Sequence, residues 1–125
     1  MKNYKSVLII EDDVTFFLIR RILEIAGING KVTGSENGFK ALNFIKDEVE
    51  KGYKCPDLII LGLDMPLMNG VEFLNKLYEY NFNIKKIIIL SDSIESDKKI
   101  IPPYKFYSFI EKSLIQEKLI TALED

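Results

Sequence analysis

Three acids in a row, Glu11, Asp12 and Asp13, follow the apolar run VLII at 7–10. Ser91 and Asp92 follow a second run, IIIL at 87–90, and Glu111 and Lys112 close a third, FYSFI at 106–110. Adjacent carboxylates repel unless water or a cation neutralises them. Oxygen donors without histidine or thiolate suit a hard cation, Mg²⁺ first, which takes one or two carboxylates and keeps several waters. A lysine facing those acids, with a hydroxyl between, supplies the remaining ingredients for holding a phosphoryl group. Each residue alone has a plainer explanation. Acids after a strand favour the positive end of the next helix, a lone serine belongs to a turn, and a lone lysine is solvated. What favours chemistry is that all of them fall at the ends of apolar runs. Glycine-rich phosphate loops and GxSxG are missing, so nucleotide-binding and hydrolase readings have no support.

The runs at 7–10, 58–61 and 87–90 are continuous rather than alternating, as in strands covered on both faces of a parallel sheet. The run at 106–110 is a fourth strand, and KVTGS at 31–35 is a shorter, more polar one suited to an edge. Helices fill the intervals. The first covers 14–26, with Phe16, Phe17, Ile19, Ile22, Leu23 and Ala26, and stops at Gly27. Phe39, Leu42, Ile45 and Val49 space one face of a second, ending near Gly52. Val71, Leu74, Leu77 and Tyr78 do so for a third, with Asn69 placed to cap it. Residues 93–101 allow only a short helix before Pro102 and Pro103. In the last helix Ser113 and Gln116 form a capping box, and Ile115, Leu119, Ala122 and Leu123 give the inward stripe. A βα unit repeated five times predicts an α/β fold, a parallel sheet with helices on both faces and its site beyond the carboxyl ends of the strands.

The 125 residues fit one domain, 1–125, with 47% apolar and 29% charged residues. A net charge of −2, spread along the chain, offers no basic face for nucleic acid. Cys55 is the sole cysteine and histidine is absent, which excludes an internal disulfide and Cys/His zinc sites. The apolar N-terminal run is too short for a signal sequence or a membrane span, so a cytoplasmic location is expected, with no membrane partner.

These residues resemble a response-regulator receiver domain, the phosphoacceptor module of two-component signalling, over essentially the whole chain. VLIIEDD is similar to the acidic stretch that holds Mg²⁺, which implies that role for Glu11 and Asp12. PDLIILGLDMPLMNG is similar to the family's third strand and the Met-Pro-x-Met-x-Gly that follows it. IIILSDS implies a phosphoryl-contacting hydroxyl on Ser91, and FYSFIEKS implies the lysine at Lys112 with Phe109 at an aromatic switch position. The resemblance also implies a flavodoxin-like (βα)5 fold with strand order 2-1-3-4-5. In receivers the phosphorylated aspartate lies four residues before the proline of the motif. Here that proline is Pro66, and the position is Gly62. Ser113 stands where the family usually has proline after the lysine.

Glycine offers no carboxylate to a phosphoryl donor, and the metal loses a ligand. The expectation is therefore a degenerate receiver with weak or absent Mg²⁺, no phosphorylation at the usual place, no enzymatic activity, and output through contacts with another protein. Asp64, whose backbone carbonyl meets the metal in the family, is a candidate auxiliary ligand or substitute acceptor. Two alternatives stay open: a receiver phosphorylated on Asp64, and an ordinary receiver in which Gly62 is an engineered or accidental substitution. The chain ends just after the fifth helix, which implies no attached output domain. The implied partner is a histidine kinase or a downstream effector. The implied surface is the fourth helix, fifth strand and fifth helix, where Tyr104, Phe106, Tyr107 and Phe109 are core, interface or both. Crowding of the three acids near one lysine predicts that Asp12→Asn raises the melting temperature.

Overall fold

Val, Ile and Leu without polar interruption form strands that bury both faces, and every residue of the central strand here is buried. The computed structural model describes residues 3–101 and 107–124. Within them, five strands alternate with five helices: β1 (Ser6–Ile10), α1 (Asp13–Ile25), β2 (Lys31–Ser35), α2 (Gly38–Glu50), β3 (Leu58–Gly62), α3 (Gly70–Tyr80), β4 (Lys86–Ser91), α4 (Ile94–Ile100), β5 (Tyr107–Glu111) and α5 (Ile115–Glu124). The strands are parallel in the order β2-β1-β3-β4-β5. This is the flavodoxin-like doubly wound sheet. The polar KVTGS segment takes the edge, as its composition predicts.

Two cores flank the sheet. On one face Val7, Ile9, Leu58, Ile60, Ile88 and Leu90 pack with Ile19, Ile22 and Leu23 of α1 and Leu119 and Leu123 of α5. On the other, Leu8, Ile10, Ile59, Leu61, Ile87 and Ile89 pack with α2 and α3, chiefly Ala41, Leu42, Ile45, Phe73, Leu74 and Leu77. Burying each such side chain contributes roughly 1.5–3 kcal/mol before entropy is counted. The Tyr4 hydroxyl donates to the Leu123 carbonyl at 2.8 Å and pins the start of the fold to its last helix.

Register aligns the strand tips. Ile10 pairs with Leu61, Gly62 with Leu90, and Ser91 with Glu111, so the residues that follow each strand emerge along one edge.

Some helix faces differ from those predicted. Phe39 and Val49 of α2 and Tyr78 of α3 are exposed, as are Val14 and Phe17 of α1. The inward positions are instead Gly38, Ala41, Leu42 and Ile45 in α2, and Gly70, Phe73, Leu74 and Leu77 in α3. A stripe about 100° wide cannot admit every apolar residue of such a helix, and close backbone approach selects the glycines. Asn69 caps α3 as predicted, accepting from the Glu72 N–H at 3.0 Å. The Ser113 capping box does not form. Ser113 lies inside a 3-10 turn, Lys112–Leu114, that runs directly into α5, so its backbone is already helical where a cap requires an extended one. Pro102, Pro103, Tyr104 and Phe106 lie outside the described residues.

Candidate functional site

The carboxyl edge gathers Glu11, Asp12, Gly62, Ser91 and Lys112, placed by the ends of β1, β3, β4 and β5 or by the first residues after them. Glu11 and Asp12 follow β1, where Ser35 on β2 still holds the Glu11 N–H at 3.1 Å. Lys112 follows β5 and reaches back across the edge. Its ammonium stands 3.1 Å from Glu11 Oε2, 3.2 Å from Glu11 Oε1 and 3.7 Å from Asp12 Oδ2.

Glu11 is the unusual member. Its side chain is 3% exposed, against 35% for Lys112. A Cβ built on Gly62 would lie 2.5 Å from Glu11 Cδ and closer still to Oε2. The Glu11 carboxylate thus fills the volume that any side chain at position 62 would enter. Burial raises its pKa above the ordinary carboxyl value, against the opposing pull of the Asp12 N–H and the Lys112 ammonium. Burial works against the Lys112 charge as well, but Glu11, Asp12 and Asp92 outweigh it and its pKa moves up.

Asp12 has another task. It is the N-cap of α1, accepting from the Thr15 N–H at 2.8 Å, and that bond holds its pKa low. The plainer explanation of an acid after a strand applies here, and it argues against the expected gain on neutralising Asp12. Asp13 begins α1 and is exposed, as are Asp64, Asp92 and Glu111. Asp64 sits in the loop between β3 and α3.

Ser91 is buried at the tip of β4. Its hydroxyl donates to the Asp97 carboxylate on α4 and accepts from the Ser93 N–H at 3.1 Å. Asp97 is a residue that sequence reasoning missed. Its only signal was an acid lying one helical turn into the segment after β4. Asn37, buried and capping α2 through the Lys40 N–H, was missed as well. Tyr107 and Phe109 lie half-buried on one face of β5, ring edge to ring face at 5.6 Å, against the core shared by α2 and α3.

The profile of the response regulator receiver domain matches residues 7–124. This chain belongs to that family. Receiver domains interact with histidine kinases or effectors in two-component signalling. Over 98 residues the chain is 35% identical to a protein-glutamate methylesterase/protein-glutamine glutaminase of Treponema denticola, covering 74% of this chain and 23% of that protein. This receiver therefore spans about a quarter of that relative's length. Among solved structures, a DNA-binding response regulator of the LuxR family from Staphylococcus aureus matches with a TM-score of 0.72 at 22% identity, over 96% of each chain. The receiver domain of the histidine kinase CKI1 from Arabidopsis thaliana, complexed with Mg²⁺ and BeF₃⁻, matches with a TM-score of 0.69 at 19% identity, over 97% of this chain and 87% of that one.

Mg²⁺ is thus a ligand to test against this receiver's own donors. Glu11 is turned under Gly62 toward Lys112, Asp12 is engaged as a helix cap, and Asp64 is exposed. Among the described residues no three acidic side chains converge as an ion-holding group. In this arrangement Glu11 and Asp12 are each engaged within the chain rather than turned to a common cation. Among the described residues, too, no helix is long and apolar enough to cross a membrane.

Proposed function

We propose that this receiver signals without a phosphoaspartate, through contact with a partner signalling protein such as a histidine kinase or a downstream effector. One observation carries this reading: the Glu11 carboxylate, paired with Lys112, occupies the space at Gly62 where the motif assigns the acceptor side chain. Acyl-phosphate formation needs a carboxylate in line with the donor phosphorus. Gly62 has none, and Glu11 is buried beneath the edge with its charge already engaged. The state that a receiver reaches by modification is replaced here by a fixed internal ion pair, and its output surface is the half-buried Tyr107 and Phe109 with the helices beside them.

The test is incubation with acetyl phosphate and Mg²⁺, read by intact mass. The chain should stay unmodified. Gly62→Asp should gain one alkali-labile phosphate and bind Mg²⁺ more tightly in a calorimetric titration. Making room is inexpensive, because the obstacle is the far end of the flexible Glu11 side chain rather than backbone. Labelling of the unaltered chain that Asp64→Asn abolishes would move the acceptor to the loop and overturn the proposal.

A further inference from the structure

A serine hydroxyl has one proton to donate, and that of Ser91 goes to Asp97. The same oxygen accepts the Ser93 N–H, at the entrance to α4. Ser91 is 1% exposed, so both bonds are made at a buried strand tip, where a lost partner is not replaced by water. Among the described residues, helix α4 has little else to hold it. None of its seven residues is buried. Ile101, just past its end, enters the core beside α2 and α3, and the Lys98 ammonium stands 5.7 Å from the centre of the Phe109 ring. The Asp97 carboxylate therefore supplies the one side-chain hydrogen bond described between α4 and β4.

We propose that Asp97 is an in-chain anion that latches α4 to the tip of β4, so that any group claiming the Ser91 proton releases the helix. This deepens the reading of a receiver with no phosphoryl group of its own. Glu11 engages the Lys112 ammonium and Asp97 engages the Ser91 hydroxyl, so both groups that would grip an incoming anion are held by carboxylates of the same chain. The position of α4 then follows the competition for one proton at Ser91.

Amide hydrogen exchange of the full chain, with no phosphodonor present, tests this. Asp97→Leu and Ser91→Ala should each speed exchange across Ile94–Ile100 by about tenfold or more, with α3 and α5 unchanged. The double variant should be no faster than Ser91→Ala, which already removes the Asp97 bond together with that of the Ser93 N–H. Asp97→Asn, which keeps an acceptor oxygen, and Ser91→Thr, which keeps the hydroxyl, should retain most of the protection. Unchanged α4 exchange in Asp97→Leu would overturn the latch. So would additive effects in the double variant, or loss of protection spread equally over α3. Intact mass of the same samples keeps the two proposals apart. A phosphate found on the untreated chain would sink the phosphorylation-independent reading and leave the latch standing, whereas unmodified protein with an indifferent α4 would do the reverse.

Discussion

Helices α3 and α4 leave neighbouring strands on the same face of the sheet, yet different forces hold them. α3 buries Gly70, Phe73, Leu74 and Leu77, is capped by Asn69, and closes on Asn81 in a left-handed conformation at φ 56°. α4 has no fully buried residue along its length, lacks a side-chain cap at Ser93, and is joined to β4 through Asp97 and Ser91. Apolar burial is non-directional and indifferent to what happens at the strand tips. A hydrogen bond to a site residue is not. The element held by the site's own chemistry is the one whose position can report on that site.

The comparison breaks most visibly at Phe73. Phe73→Ala should destabilise the fold by about 3–5 kcal/mol in a denaturant titration, since the ring is fully buried between α3 and the sheet. Any single substitution within α4 should cost well under half of that. A loss at Asp97 equal to that at Phe73 would show that the two helices are anchored alike.

Lys112→Ala should come next, on the order of 2 kcal/mol at neutral pH, because it strands the Glu11 carboxylate in a dry wall. Its pH dependence sharpens the test. Burial places the folded Glu11 pKa above the ordinary 4.5. The folded state therefore takes up the proton more readily than the unfolded one, and this contribution is present at low pH and lost as pH rises through the raised value. The cost of Lys112→Ala should accordingly shrink on acidification, and Glu11→Gln in the same background should remove most of that dependence. Helix α4 should exchange its amides at the unaltered rate in Lys112→Ala, since Ser91 and Asp97 are untouched.

The smallest effect belongs to Asp12. Asp12→Ala should cost about 1 kcal/mol through loss of the α1 cap, and Asp12→Asn, which keeps an acceptor for the Thr15 N–H, only a few tenths. The charged form of Asp12 is favoured, so its contribution is present above the ordinary 3.8 and lost as pH falls through its lower folded value, opposite in sign to Glu11. Thermal melts of both variants across pH 3–7 would separate the two acids; a higher melting temperature for Asp12→Asn at neutral pH would restore repulsion as the dominant force (pH window roughly that of carboxyl titration).

Continuous apolar runs made the sheet legible, since Ile and Leu without alternation have few places to go except a doubly covered strand. The poor composition of residues 31–35 even marked the edge. Helix faces were less legible. Phe39, Val49 and Tyr78 lie within the apolar spacing but fall outside the buried stripe, and Phe73 was passed over although it is at its centre. Glu11, Asp12, Ser91 and Lys112 could be gathered at one edge because strand ends are visible as changes from apolar to polar. What each side chain does there was not visible. Glu11 turns under Gly62 because that space is vacant in three dimensions, and Ser91 meets Asp97 because α4 returns over β4. Neither contact has a local signature. Ser113 and Gln116 had the local signature of a cap, but the chain was already helical when it reached them.

The Glu11–Lys112 pair joins residues 101 positions apart. β1, at the heart of the sheet, is flanked by β2 and β3, and both are synthesised long before the lysine. A chain that folds as it emerges must therefore bring Glu11 to the edge of a growing apolar wall while its counter-ion does not yet exist. Contacts of such sequence separation are the slow ones to close. Until β5 docks, the carboxyl keeps its water, and the docking of the last strand sets the Lys112 ammonium against it. Assembly of this receiver thus ends with the arrival of the counter-ion, and the acid that follows the first strand waits on the residue that follows the last.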